Sequence, residues 1–300
     1  MTPLTASPLG GAAFLNALRR AAADKSSRVL TMEHSGSRLP WPSCAPAWSM
    51  LRPCAAVHTD LRGLSTPATK PLALEDVPGQ VLSTLPPLHV QAVAAHARSA
   101  AELGLRLQSA LRLKPAALLL VSGDSPSKTS LDTVALLQMA VSLRAELALD
   151  TVLLCAANPL LSLSTDTLAR KLDAGCDGFI TQPALLPSRF DAWWEVAQPA
   201  LRGCPMLLGL AAPCTPSDVQ LWYRLAGVDG NDADAVALLS SWRVAVDQVH
   251  PGALAAHASR SYAAAMRHAA GVPGLAGVHL MPVTAGGYAL AAASQSPLAF

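Results

Sequence analysis

The chain has 300 residues, of which 51% are hydrophobic and only 14% charged, and its formal net charge is +2. The length admits one large α/β domain or two ordinary ones, and the few scattered Lys and Arg leave no electrostatic footprint for nucleic acid. Mean hydropathy is +0.33, yet the best apolar run, "PAALLLVSG" (115–123), is about half of the ~20 residues that a spanning helix needs. No membrane span is expected.

Residues 1–27 read as a flexible N-terminal extension or a transit segment. Basic residues outnumber acids there, and the centre, "AAFLNALRRAAA", has the pattern of an amphipathic helix. The compartment is therefore cytoplasmic, or the mitochondrial matrix if the segment is a transit peptide. From residue 28 onward apolar runs alternate with segments of helical period. "RVLTME" (28–33), "PCAAVHT" (53–59) and "PLHVQAV" (87–93) read as strands. The intervening 34–86 is rich in Pro, Ser and Gly and reads as long loops. A helix is expected over 94–113, a strand buried on both faces over 115–122, and a helix over 130–147 with Ser130 as its N-cap. A strand at 150–157 precedes a helix at 164–175 closed by Gly175. A strand at 177–182 is followed by a helix at 188–201, interrupted near Pro199. The strand at 205–212 leads into a helical region over about 215–271, then a last strand at 276–283 and a short helix.

Eight strand candidates alternating with helices predict a single-domain (β/α)8 TIM barrel over 28–300, with extra helices between strands 7 and 8. An open doubly wound sheet is the alternative. It calls for a Gly-rich phosphate loop after an early strand, and the chain has no GxGxxG or Walker pattern. The cysteines at 44, 54, 155, 176, 204 and 214 form no CxxC and have no metal spacing with His. They read as reduced thiols packed like small hydrophobes, and no metal site is expected.

In such a barrel the chemistry comes from the C-terminal ends of the strands. The polar residues there are Glu33, His58, Thr59 and Asp60, His89, the Ser122-Gly123-Asp124 turn, Asn158, Thr181 and Gln182, and His279. Each has a structural alternative: Glu33 pairing with Arg38 in a surface turn, His89 as a hydrogen-bonded core histidine, "SGDSP" as an ordinary turn, Gln182 as a cap on a neighbouring helix.

Several of these stretches resemble one family. "LARKLDAGCDGFITQPALL" (168–186) is similar to the "KxxAGADFxITQPxxD" stretch of methylenetetrahydrofolate reductases, and "VSGDSPSK" resembles their "GDPSK" turn. "VLLCAANP", "PPLHVQAVAAHARSAAEL" and "AGVHLMPVTAGGYALA" resemble further segments in the same order, and "VLTMEHSGSR" falls where the family has "FEFFPPR". The resemblance implies a barrel that binds FAD, takes hydride from NAD(P)H and reduces 5,10-methylenetetrahydrofolate to 5-methyltetrahydrofolate. By position it makes Glu33 the acid that protonates the departing N10, and gives Asp124 the register and tuning of flavin and pterin. It makes Gln182 a two-way hydrogen-bonding amide. Arg170 and Lys171 fall near the FAD phosphates, His89 against the flavin, and His58, Gly123 and Asp124 complete the cofactor set. Departures include Ser122 where the family has Arg or Thr, and "VHTDLRGLS" in place of a glycine-rich loop. They motivate a second reading, a catalytically degenerate reductase-like barrel serving as a structural or regulatory subunit of a larger complex. A flavin-independent folate or one-carbon enzyme is a third. The partners expected are a folate substrate and either a second copy or a larger assembly. At 300 residues there is no room for a separate regulatory domain.

Overall fold

The computed structural model describes residues 10–24, 28–34, 53–58, 88–95, 99–122, 132–161, 164–248, 250 and 252–293. Eight parallel strands close into a barrel in chain order: β1 (Val29–His34), β2 (Ala55–His58), β3 (Leu88–Ala94), β4 (Ala117–Val121), β5 (Val152–Ala157), β6 (Gly178–Pro183), β7 (Met206–Ala211) and β8 (Gly277–Met281). β8 returns to pair with β1, with Val29 opposite Gly277 and Met32 opposite Leu280. The described helices are α1 (Gly11–Ala23), α2 (Ala100–Arg112), α3 (Thr133–Glu146), α4 (Asp166–Asp173), α5 (Pro187–Ala200), α6 (Pro216–Ala226), α7 (Ala233–Asp247), α8 (Ala253–Gly271) and α9 (Ala285–Ala293). The expected (β/α)8 barrel is thus the fold, and α6, α7 and α8 are the extra helical region between β7 and β8.

The strands carry little alternation in sequence because both of their faces are buried. Their side chains nevertheless divide between two cores. Val29, Ala55, Val57, Leu88, Val90, Ala117, Leu119, Val152, Leu154, Ile180 and Leu207 fill the barrel. Leu30, Met32, Ala56, Val93, Leu118, Leu120, Leu153, Phe179 and Leu208 face outward against the helices. That parity fixes the direction of every polar residue on the same strands.

The N-terminal segment differs from the expectation of a flexible extension. Residues 11–23 form α1, as the amphipathic pattern suggests, but its apolar stripe of Phe14, Leu18 and Ala21 is buried in the barrel core. It packs against β1, β5 and β8, and the cluster it joins holds Val29, Val152 and Ala276 at the N-terminal ends of those strands, so the helix stops the bottom of the barrel. Burial of Phe14 and Leu18 contributes about 2 kcal/mol each by area. The helix start has no side-chain cap of its own; the Ala12 N–H donates instead to the Asp150 carboxylate at 3.3 Å. Residues 1–9 lie outside the described residues.

Helix starts follow local chemistry. Ser99 caps α2 by accepting from Glu102 N–H, and Thr215 with Asp218 forms a capping box on α6. α3 begins later than expected: Asp132, not Ser130, is its N-cap, accepting from Ala135 N–H at 2.8 Å. α5 runs through Pro199 to Ala200, with the proline confined to its last turn. Gly175 stands just beyond α4 at φ +99, the stop read from sequence. Cys54, Cys155, Cys176, Cys204 and Cys214 are free thiols. Among the described residues no helix is long and apolar enough to cross a membrane.

Candidate functional site at the C-terminal mouth of the barrel

Glu33 lies near the end of β1, buried at 7% exposure. It shares strand parity with Val29 and Thr31 and so belongs to the luminal face. Its backbone carbonyl accepts a 2.6 Å hydrogen bond from the Tyr288 hydroxyl of α9, which pins the end of β1 from above. One step deeper, Thr31 Oγ1 and His279 Nδ1 are 2.9 Å apart across the β1–β8 seam. Complete burial pushes the His279 imidazole down to about 3, so it stays neutral at ordinary pH.

Gln182 sits at the same end on β6, three strands round from β1. Here the ladder is irregular. Phe179 and Ile180 pair with Met206 and Leu207, but the next partner of Gly209 is Pro183. One extra residue is therefore accommodated at Thr181–Gln182, a β-bulge of the kind that re-aims a side chain. Thr181 Oγ1 accepts the Gly209 N–H at 2.8 Å, and the Ala184 N–H then donates to the Gly209 carbonyl at 3.1 Å, which resumes the pairing. The bulged backbone passes directly over Gly209: an added Cβ would overlap the Thr181 carbonyl oxygen and come within 3.0 Å of both the Gln182 carbonyl carbon and Met281 Cε. Gln182 is half-buried at this position. It caps no helix that the described hydrogen bonds record.

Other residues singled out from sequence lie elsewhere. His58 has the parity of Ala56, and His89 that of Val93, so both point away from the lumen. With His34 they form a histidine cluster on the outer side of β1–β3. His58 Nε2 is 3.1 Å from His89 Nδ1 with the rings stacked, and the His34 ring meets His58 edge-on at 5.5 Å. Burial lowers all three imidazoles, with His58 down to about 3. Among the described residues no group of His, Cys, Asp and Glu is arranged to hold a metal.

Lys171 is buried on α4, and its Nζ donates to the Ala156 carbonyl at 2.7 Å; burial lowers its ammonium. The neighbouring Arg170 is exposed and pairs with Asp132 at 3.0 Å, on the N-cap of α3. Asn158 is a tie, donating to Ala226 C=O at 2.7 Å and accepting from Leu160 N–H. Ser122 Oγ lies 2.8 Å from Thr133 Oγ1. Asp124 and Gly123, together with Thr59 and Asp60, lie outside the described residues.

These positions bear on the flavin. Of the residues matched to FAD, the described ones are His58, His89, Arg170 and Lys171. The two histidines are turned to the outer face, and the two basic residues are engaged with Asp132 and a backbone carbonyl. In this arrangement they do not form a cradle for the cofactor. Sequence reasoning did not single out Thr181 with Gly209 as a pair, nor Tyr288 as the pin on β1. The signal for the first was present as an isolated Gly inside the apolar run "MLLGLAA", which marks a bulge or a close backbone approach.

No family model matches the chain, and no curated protein matches it. Solved structures do. An uncharacterized protein from Clostridium thermocellum that binds two copies of 5-methyl-5,6,7,8-tetrahydrofolic acid is similar at a TM-score of 0.56 and 14% identity, over 93% of this chain and 99% of that one. Oxaloacetate acetylhydrolase is similar at a TM-score of 0.44 and 16% identity, over 88% of this chain and 99% of that one. The third, 2,3-dimethylmalate lyase of the PEP mutase/isocitrate lyase superfamily, has a TM-score of 0.43 at 16% identity over 66% and 70%. At these identities the first likeness establishes the barrel fold.

Proposed function

We propose that the chain is a folate-binding barrel of the methylenetetrahydrofolate reductase type, which takes a reduced folate at the C-terminal mouth. The observation that carries the reading is the pairing of a buried luminal carboxyl, Glu33, with a bulged carboxamide, Gln182, at one end of one barrel. The sequence resemblance puts an acid and a pterin-binding amide at these two positions, and the Clostridium thermocellum barrel of the same fold binds 5-methyl-5,6,7,8-tetrahydrofolic acid.

In this reading Gln182 hydrogen-bonds the pterin edge through its C=O and NH2 groups. The Glu33 carboxyl protonates N10 of 5,10-methylenetetrahydrofolate, the imidazolidine ring opens, and the electron pair of the N10–C bond leaves on nitrogen. The N5 iminium that remains accepts a hydride from NAD(P)H and becomes the 5-methyl group.

A second reading is a degenerate reductase-like barrel that keeps the folate pocket but serves as a structural or regulatory subunit. It is favoured by the internal engagement of Arg170 and Lys171. One experiment separates the two. Purified protein is titrated calorimetrically with 5-methyltetrahydrofolate, then assayed for NAD(P)H oxidation driven by 5,10-methylenetetrahydrofolate, with and without added FAD. Binding plus turnover, abolished in Glu33→Gln, supports the reductase. Binding without turnover supports the subunit. Absence of binding refutes both. Flavin bands near about 380 and 450 nm that survive desalting would count against the fit argued above.

A further inference from the structure

We propose that Thr181 and Gly209 are positioning residues that hold Gln182 toward its ligand through the β6 bulge, an inference that rests on the folate-binding reading of the same mouth. In a regular parallel ladder the Gly209 N–H would donate to a carbonyl of β6. Here it donates to the Thr181 hydroxyl oxygen at 2.8 Å, so a side chain replaces the backbone acceptor. The Thr181 carbonyl is then free to swing over the Gly209 α-carbon, into space that any side chain at 209 would occupy. Gly209 has luminal parity with Leu207 and Ala211, so the displaced backbone leans over the barrel interior rather than toward the helices.

Both ends of the bulge are clamped. Before it, Phe179 N–H donates to Pro205 C=O at 2.9 Å; after it, Ala184 N–H donates to Gly209 C=O at 3.1 Å. The added residue between the clamps includes Gln182. The conformation is costly to keep without its two supports: the hydroxyl satisfies a buried N–H, and the absent Cβ leaves room for the backbone. Thr181 is itself only 1% exposed. It cannot touch a ligand in the mouth, so any effect it has on binding travels through its neighbour.

The test uses Thr181→Val, which keeps the shape and loses the acceptor, Thr181→Ser, which keeps the acceptor, Gly209→Ala, and Gln182→Ala alone and combined with Thr181→Val. The probe is 5-methyltetrahydrofolate, read by calorimetry. Thr181→Val and Gly209→Ala are expected to weaken binding about 10-fold, the equivalent of one lost hydrogen bond. Thr181→Ser should stay within about 2-fold of the parent. In the Gln182→Ala background the Thr181→Val change should add nothing, because its effect acts through the missing amide. Full additivity in that cycle, or parental affinity in Thr181→Val, overturns the proposal. A second readout is independent of the ligand: the Gln182 side-chain amide signals in a 1H–15N NMR spectrum of the free protein. They should move in Thr181→Val and not in Thr181→Ser. If the parent binds no folate, the folate reading fails, and the NMR shift alone decides whether the bulge positions Gln182. Unmoved signals refute it.

Discussion

Mild acid should destabilise this barrel by charging histidines that the fold holds neutral. His279 lies inside the barrel at 2% exposure, bonded to Thr31, and burial pushes it down to about 3 from an ordinary 6.5. The folded-state pKa is depressed, so the unfolded chain binds the extra proton between those values, and stability is lost as pH falls below about 6.5. At pH 5 the gap of about 1.5 units corresponds to about 2 kcal/mol for His279. His58 is driven the same way by burial and by the neighbouring His34 and His89. Being half-buried, it is discounted to about 1 kcal/mol. The sum, about 3 kcal/mol between pH 7 and 5, is a large share of a typical domain's stability. Urea denaturation at pH 7, 6 and 5 measures it. His279→Gln keeps a hydrogen-bonding partner for Thr31 and removes the titration. Its stability should fall less steeply by about 1 kcal/mol per pH unit near pH 5. A wild-type chain equally stable at pH 7 and 5, or a variant with the parental slope, would refute the assignment.

Three further outcomes follow from packing and backbone geometry. Phe14→Ala should cost about 3–5 kcal/mol in chemical denaturation, because it hollows the stopper at the bottom of the barrel; a loss under about 1 kcal/mol would mean that α1 docks only loosely. Tyr288→Phe removes the donor to the Glu33 carbonyl and should cost about 1–2 kcal/mol, with weakened 5-methyltetrahydrofolate binding if the end of β1 shapes the pocket. Gly277→Ala should prevent a soluble, folded product: Gly277 has φ +151, and a Cβ there would overlap the Val29 carbonyl oxygen and sit 2.6 Å from the Val29 nitrogen. Recovery of folded protein with a parental circular dichroism melt would contradict that.

The fold was legible because barrel strands are buried on both faces and stand out as apolar runs, and all eight were placed within a residue or two of their observed limits. The same property hid the site. In "VLTMEH" both faces of the strand are buried and each ends on a polar residue, so the sequence does not say whether Val29, Thr31 and Glu33 or Leu30, Met32 and His34 face the lumen. Proximity to a strand end was readable; facing was not. Glu33 lies on the luminal face, while His58 and His89, equally near strand ends, stack on the outer face. The partner of α1 was invisible for a related reason. An amphipathic helix announces a buried stripe but not what buries it, and a transit segment and a barrel stopper have one pattern.

The bulge reverses that limitation. An apolar run that stops on "TQP" and another that is broken by a single glycine, "LLGLAA", lie on adjacent strands of the barrel. Each oddity alone has an ordinary explanation, a strand end and a small residue. Together they are two halves of one contact: the extra residue in β6 needs an empty position opposite, and Gly209 supplies it. Glycine at 209 contributes nothing to packing and weakens a strand by about 0.5–1 kcal/mol relative to alanine. A strand interior that accepts this penalty beside a buried hydroxyl at its amide is organised around the bulge rather than around its own stability. The side chain that the bulge redirects is Gln182, and the mouth of the barrel is the place to which a ligand has access.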